Sequence, residues 1–433
     1  MNRLQRMLTD AFSSNGQPGW TGGQYSVFRL LLGGYLVVHF LHLMPWGPEL
    51  FSFTGMLANG TDSPLFGVLP NVLALSDAPG VVKALLLSGA LAALALALGM
   101  RDRMAALWCW YVLMCVFTRN PLIANPALPY VGWMLLAHAL VPRAPFGSYA
   151  AAGEPGAGHG WRLPRAVWVA ATLLLAITYS YSGYTKLLSP SWVSGDTLAY
   201  VLENPLARDW LLRDLFLLLP DGALKGITWF ILYVELLYLP LLALRKLRFA
   251  LWAGMLGVQF GFLFLLNFPD LTFGMLLFHL LTFDPRWVKS RDAAPATLYY
   301  DGDCGLCHRV VRFVLSEDSE AVFRFAPLNG SHHARRMDAA CRAALPDSFV
   351  VHTADGRWLT EGDALIFIGR RLGGLWRLAA EAFSLLPGNW RNRAYHLVGD
   401  RRQTLFRKPD SVCPLVPATV RHRFLMMPAE DAA

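Results

Sequence analysis

Cys304 and Cys307 are spaced so that two thiols can form and open a disulfide. They lie in Leu298-Tyr299-Tyr300-Asp301-Gly302-Asp303-Cys304-Gly305-Leu306-Cys307-His308, where an apolar, strand-like stretch feeds a short acidic turn. Val310, Val311, Val314 and Leu315 then recur on one helical face. This strand–turn–helix pattern predicts the pair at a helix N-terminus, where orphan N–H groups and the positive dipole end stabilise a thiolate on the first cysteine. Cys304 is then the attacking thiolate, and Cys307 the resolving thiol through a mixed disulfide. Asp301 and Asp303 leave two readings open. As adjacent anions they raise a thiol pKa and oppose the dipole; alternatively Asp303 is the N-cap and Asp301 a buried proton acceptor. The same residues also fit C-x-x-C-H haem attachment, and paired cysteines can hold zinc. Haem attachment needs an external location, and no second ligand pair has zinc-site spacing. Dithiol redox chemistry is preferred, and no metal is expected.

A second group of ionisable residues lies within long apolar runs, where such groups are functional candidates. Glu235 falls near the middle of one run and cannot easily snorkel. It suits a proton relay or ligand contact, or a structural pairing with a buried Arg, His or Tyr. Lys186 ends another run and reads as an interfacial lysine unless its pocket gives it chemistry. Arg29 sits near the start of the first run, where a snorkelling side chain is the bland expectation. His39 and His42 share a face but are too few for a metal site. His138, Gln259 and His279 read as helix-packing groups.

These residues must be positioned by two different kinds of element. The chain has 433 residues, 55% of them apolar, and a net charge of +8. One soluble globular domain does not fit that composition. A bilayer core needs about 20 mostly apolar residues per helix. Candidate runs are 25–45, 80–100, 104–119, 126–142, 164–184, 226–244, 249–268 and 270–284, which predicts a polytopic helical bundle of about eight spans over residues 1–290. Arg3 and Arg6, Arg101 and Arg103, the 143–165 loop, Arg245 to Arg248, and Arg286 to Arg291 place the basic residues in alternate loops. By the positive-inside rule both termini are cytoplasmic, in a bacterial inner membrane. The excess of Lys and Arg then belongs to cytoplasmic loops, and nucleic acid is not an expected partner. The polar 1–24 stretch carries no cleavable signal pattern. Residues 196–202 and 209–216 read as amphipathic helices on the bilayer or capping the bundle. The six cysteines do not form an extracellular disulfide scaffold.

From residue 297 the pattern changes to strands at 296–300, 321–326, 349–353 and 357–360 and helices at 305–315, 362–371 and 376–386, with Asp355-Gly356 as a hairpin turn. Strand, CxxC helix, hairpin and helix is the order of a small α/β thioredoxin-like domain. Pro346 is placed where such folds can carry a cis-proline. Cys341 and Cys413 read as structural.

Two resemblances accompany these readings. Gly183-x-x-Lys186-Leu187 followed by Trp192-x-x-Gly195, with Arg29 and the Asp284-Pro285-Arg286-Trp287 exit, resembles the HTTM family, bacterial relatives of vitamin K-dependent gamma-carboxylase, over residues 20–290. That resemblance implies a membrane module that binds a quinone-like or lipid molecule, with Lys186 as a base whose pKa desolvation lowers. The carboxylase's lumenal peptide-binding domain has no counterpart here. The Asp303-Cys304-x-x-Cys307 motif resembles the DCC family of thiol-disulfide oxidoreductases. The match continues through Pro346-Asp347-Ser348-Phe349-Val350-Val351, Ala364, Trp390-Arg391-Asn392-Arg393-Ala394-Tyr395, Arg401, Cys413 and Arg421-His422-Arg423-Phe424-Leu425, over residues 297–425. Asp363 departs from the serine more usual there. Two function classes follow. One is a membrane oxidoreductase that exchanges thiols and disulfides with a redox partner protein and holds an isoprenoid quinone. The other is a non-enzymatic scaffold or maturation factor that presents the thiol domain to a partner.

Overall fold

Apolar runs that bury one face and expose another form helices whose apolar outer side chains are compatible with a membrane. In the first such helix, α1 (Gly22–Leu43), Phe28, Leu32, Leu36 and Phe40 form a buried stripe, while Leu30, Leu31, Val38 and Leu41 point outward. In α2 (Pro79–Leu98) the exposed side is Leu87, Leu91, Leu94 and Leu98. The computed structural model describes residues 19–123, 125–152, 158–290, 294–340, 345, 348–399 and 418–425. Arg3, Arg6, Arg291, Cys341, Pro346, Asp347, Arg401 and Cys413 lie outside these described residues.

The described chain divides into two units, one of Phe28–Val141 with Pro164–Phe283, the other of the residues up to Val27 with Pro142–Leu163 and Asp284 onward. The first unit is helical. After α1 and α2 come α3 (Asp102–Arg119), α4 (Leu128–Leu140), α5 (Arg165–Lys186), α6 (Asp221–Leu236), α7 (Arg248–Leu265) and α8 (Pro269–Thr282). Four of them, α1, α2, α5 and α7, are long and apolar enough to cross a membrane; Leu211–Leu217 with α6, bent by 108°, would add a fifth if the pair were one span. The expected run 226–244 is split, because Leu237 interrupts the helix before Tyr238–Leu242. The short helix Thr197–Glu203 and Leu211–Leu217 occupy the segments read as amphipathic.

The second unit holds a four-stranded sheet in the order β2-β1-β3-β4, formed by β1 (Ala296–Tyr300), β2 (Phe323–Pro327), β3 (Val350–His352) and β4 (Trp358–Thr360). β1 pairs parallel with β2, placing Leu298 opposite Phe325, and antiparallel with β3, placing Leu298 opposite Val351. β1 is central, so its residues are apolar on both faces. Leu298 and Tyr300 face a core shared with helix α9 (Gly305–Glu317); Tyr299, Ala326 and Val350 face a smaller cluster with Leu328, Trp358 and Leu425. The hairpin β3–β4 turns through Gly356 at φ +81°, a left-handed conformation that glycine adopts without strain. α10 (Ser331–Arg336), α11 (Glu361–Leu372), α12 (Gly374–Ser384) and α13 (Gly388–Gly399) complete the unit. The closing motif is also structural: Leu425 N–H donates to Phe325 O at 2.8 Å, and buried Arg423 bonds Asp318 and the Phe323 carbonyl (3.0 Å).

At the far end of α9, Glu317 is buried and accepts from Gly23 N–H (2.8 Å), the Trp376 indole N–H (2.5 Å) and the Thr21 hydroxyl. Burial raises its carboxyl above the ordinary range, and the bonds from Thr21, Trp376 and Gly23, with the Arg162 charge, partly oppose this. Because the folded pKa exceeds the unfolded one, Glu317 stabilises the unit fully at pH below the carboxylate range. That contribution is lost as pH rises through the folded pKa. Glu317→Gln is therefore expected to flatten the fall in melting temperature from acid to neutral pH, measured by fluorescence-detected unfolding of both proteins across that range. An unchanged slope would assign the pH dependence to other groups.

Candidate functional site

The dithiol sits where β1 hands the chain to α9. Asp301 accepts from Asp303 N–H through Oδ1 at 2.9 Å, and Cys304 N–H donates to the Asp301 carbonyl at 3.3 Å, closing the turn. Asp303 is exposed, and the cap belongs to Cys304 instead: its Sγ accepts from Cys307 N–H at 3.3 Å. A sulfur that caps the first turn in this way sits at the positive dipole end, where a thiolate is favoured. Cys307 is different. Its thiol is driven far above its ordinary pKa, first by its hydrogen bond to Cys304, then by burial and the Cys304 charge, with the Asp301 carboxylate adding to these. The pair thus divides its roles, with Cys304 accepting and Cys307 keeping its proton. Both sulfurs are buried, at 7% and 5% exposure, within the core formed by Tyr300, Val311, Phe349 and Ile368.

His308, next along, is buried, and its Nε2 donates to Gly302 O at 3.0 Å. Its ring stands edge-on to Tyr300. A histidine committed in this way clamps the turn that carries Asp301 to Cys304, and would have to leave the core before it could ligate an iron. The sequence pattern C-x-x-C-H gave no sign of this clamp, because the partner is a backbone carbonyl. Among the described residues, no three His, Cys, Asp or Glu side chains are grouped to hold a metal.

In the first unit, Lys186 and Glu235 meet. Lys186 Nζ donates to Glu235 Oε2 at 2.5 Å and to Ser182 Oγ at 2.6 Å, and lies 4.9 Å from the centre of the Trp192 ring. Gly183 explains why α5 and α6 can approach so closely: a Cβ there would lie 2.3 Å from the Leu236 nitrogen. Trp192 is presented by the short helix Pro190–Ser194, which Gly195 ends at φ +86°. The residues of the Gly-x-x-Lys and Trp-x-x-Gly motifs therefore converge on one ion pair. Nearby on α5, the Tyr179 hydroxyl accepts from Gln259 Nε2 at 3.0 Å and lies 3.3 Å from His279 Nε2. Arg29 joins a different group. Its side chain is fully buried rather than snorkelling, within electrostatic reach of Asp102, whose Oδ2 is 3.6 Å from His138 Nε2. His39 pairs with Asp270 at 2.9 Å, and His42 is exposed.

Gly183→Ala is expected to force α5 and α6 apart and cost about 1–3 kcal/mol, as overpacking does at a close helix crossing. Thermal melts of the detergent-solubilised variant would measure this; an unchanged midpoint would show that the crossing has room to spare.

A parallel–antiparallel four-stranded sheet with two thiols at the N-terminus of its first helix defines a small α/β dithiol domain. Residues 298–408 match the DCC1-like thiol-disulfide oxidoreductase family. Over 132 residues the chain is 30% identical to the uncharacterised protein YuxK of Bacillus subtilis (strain 168), covering 30% of this chain and 92% of that protein. Through this domain the chain belongs to the DCC1-like thiol-disulfide oxidoreductase family. No solved structure matches the chain at a significant level.

Proposed function

We propose that this protein is an integral thiol-disulfide oxidoreductase of the bacterial inner membrane, with about eight spans, cytoplasmic termini and a thioredoxin-like dithiol domain. The observation that carries the proposal is the asymmetry of the pair: Cys304 Sγ caps α9 while Cys307 holds its proton against it. Cys304 thiolate attacks one sulfur of a partner's disulfide, forms the mixed disulfide and releases the partner's other sulfur as a thiolate. Cys307, once deprotonated, attacks Cys304 Sγ, frees the partner's second thiolate and leaves a Cys304–Cys307 disulfide. A dithiol reductant in the same compartment returns the pair to thiols.

The HTTM-like module supplies a quinone or lipid site in this reading. Lys186, held by Glu235 and Ser182, stands where the carboxylase resemblance implies a base. The burial of both sulfurs favours a second reading, in which the membrane half is a scaffold and a specific partner opens the dithiol site.

Thiol trapping with mass spectrometry tests the first reading. Cys304 and Cys307 should change together between reduced and oxidised protein, whereas stoichiometric zinc or a haem absorbance would defeat it. An isoprenoid quinone retained by detergent-purified protein would select the oxidoreductase over the scaffold. Reporter fusions after Arg291 that prove external would overturn the topology.

A further inference from the structure

We propose that His308 is a positioning residue for the thiol chemistry: it holds the Asp301–Cys304 turn from inside the core and so keeps Cys304 Sγ at the cap of α9. The inference rests on reading Cys304 as the attacking thiolate. His308 lies outside the Asp303-Cys304-x-x-Cys307 motif, and no step of the exchange uses its ring. Its place follows from helical spacing. A side chain four residues after the cap points back toward the helix N-terminus and over the turn that precedes it.

The bonds that shape the turn have two origins. Asp303 N–H to Asp301 Oδ1 (2.9 Å) and Cys304 N–H to the Asp301 carbonyl (3.3 Å) are local, and leave the turn free to tilt against α9. His308 supplies the ties to the helix. Its backbone N–H donates to the Cys304 carbonyl at 3.1 Å, the ordinary first bond of an α-helix. Its Nε2–H donates to the Gly302 carbonyl at 3.0 Å, which fixes the chain two residues before the attacking sulfur. The ring is itself held. It is 3% exposed and stands edge-on to Tyr300 at 5.8 Å, and Tyr300 in turn meets Phe424 of the closing motif edge-on at 6.5 Å. Leaving Gly302 would strand a polar N–H in an apolar core. Both sulfurs depend on the turn held in this way. Cys304 Sγ accepts Cys307 N–H at 3.3 Å, and the Asp301 backbone bonds Cys307, partly opposing the rise in its pKa that Cys304 and burial impose. With the turn released, Cys304 Sγ leaves the first-turn N–H groups that favour its thiolate.

The test compares two variants of the full-length, detergent-solubilised protein. His308→Gln keeps an amide donor near the reach of Nε2, whereas His308→Met has a chain of similar length with no donor. Alkylation by iodoacetamide is followed across pH by mass spectrometry that localises the label to Cys304 or Cys307, and thermal melts follow the fold. His308→Met is expected to slow Cys304 alkylation at neutral pH several-fold and to move its midpoint to higher pH. His308→Gln should stay near the parent, and both variants should keep the parent's cooperative melt. A folded Met variant with the parent's alkylation profile would overturn the proposal. So would a Met variant that no longer folds beside a Gln variant that does, because the histidine would then support the fold alone. A Gln variant as slow as the Met variant would also overturn it, since the donated bond would not be what matters. A parent protein labelled at Cys307 in preference to Cys304 would instead overturn the thiol roles beneath it.

Discussion

Cys307→Ser is expected to accumulate as a mixed disulfide with its thiol partner through Cys304, whereas Cys304→Ser should reduce exchange to background. The asymmetry follows from the site: Cys304 Sγ caps α9 by accepting Cys307 N–H, so it can attack, while Cys307 is the proton-bearing thiol needed only to resolve. Non-reducing electrophoresis with mass spectrometry of the adduct would show it. Release from the mixed disulfide requires the Cys307 thiolate, which burial still disfavours when Cys304 is bonded to the partner, so its rate should climb by about tenfold per pH unit through neutrality. A plateau near neutral pH, or adducts forming through Cys307 in the Cys304→Ser variant, would reverse the assigned roles.

The second large effect concerns Lys186. Considered from the sequence, Lys186→Met replaces a solitary amine by an apolar chain of similar size and should spare the fold. The structure places Glu235, almost wholly buried, 2.5 Å from Lys186 Nζ. Lys186→Met alone leaves that carboxylate without its cation, and removing one partner of a buried pair costs about 3–5 kcal/mol. The folded fraction in detergent should drop sharply, and adding Glu235→Gln should restore most of it. Activity then separates chemistry from support. Lys186→Arg keeps a cation beside Glu235 but cannot give up a proton near neutrality. A folded Arg variant that loses quinone-linked turnover supports the base, and a fully functional one removes Lys186 from chemistry. Equal stability of the Met variant and the parent would show that the Lys186–Glu235 pair does not hold the fold.

The outline of both units was legible because it is written in local periodicity. Strand β1 and the start of α9 fall where the residues place them, since Ala296–Tyr300 alternates onto two apolar faces and Gly305 onward repeats at helical spacing. Element ends were less legible: β2 begins at Phe323 rather than Ala321, because Ala321 turns left-handed at φ +54° and Asp318, just past α9, holds the Val322 N–H. Among the described residues, α1, α2, α5 and α7 have both the length and the hydropathy to cross a bilayer, and the bent pair ending in α6 would add a fifth if it were one span. Hydropathy along the sequence could not register the break at Leu237.

What the sequence determined by itself was the type and spacing of the reacting groups: two cysteines one helical turn apart, a lysine following Gly183, and a glutamate within an apolar run. Those are properties of neighbouring residues. Tertiary structure alone decided their partners. Cys304 rather than Asp303 caps α9, His308 is spent on Gly302, Arg29 is buried in its own group, and Lys186 meets Glu235. The physical reason is that each of the last three depends on burial or on a partner brought in by packing. The Lys186–Glu235 bond joins two helices far apart in the chain, through a crossing that Gly183 leaves open. Charge, burial and hydrogen bonding act through space, and the distances that set them exist only once the elements have packed.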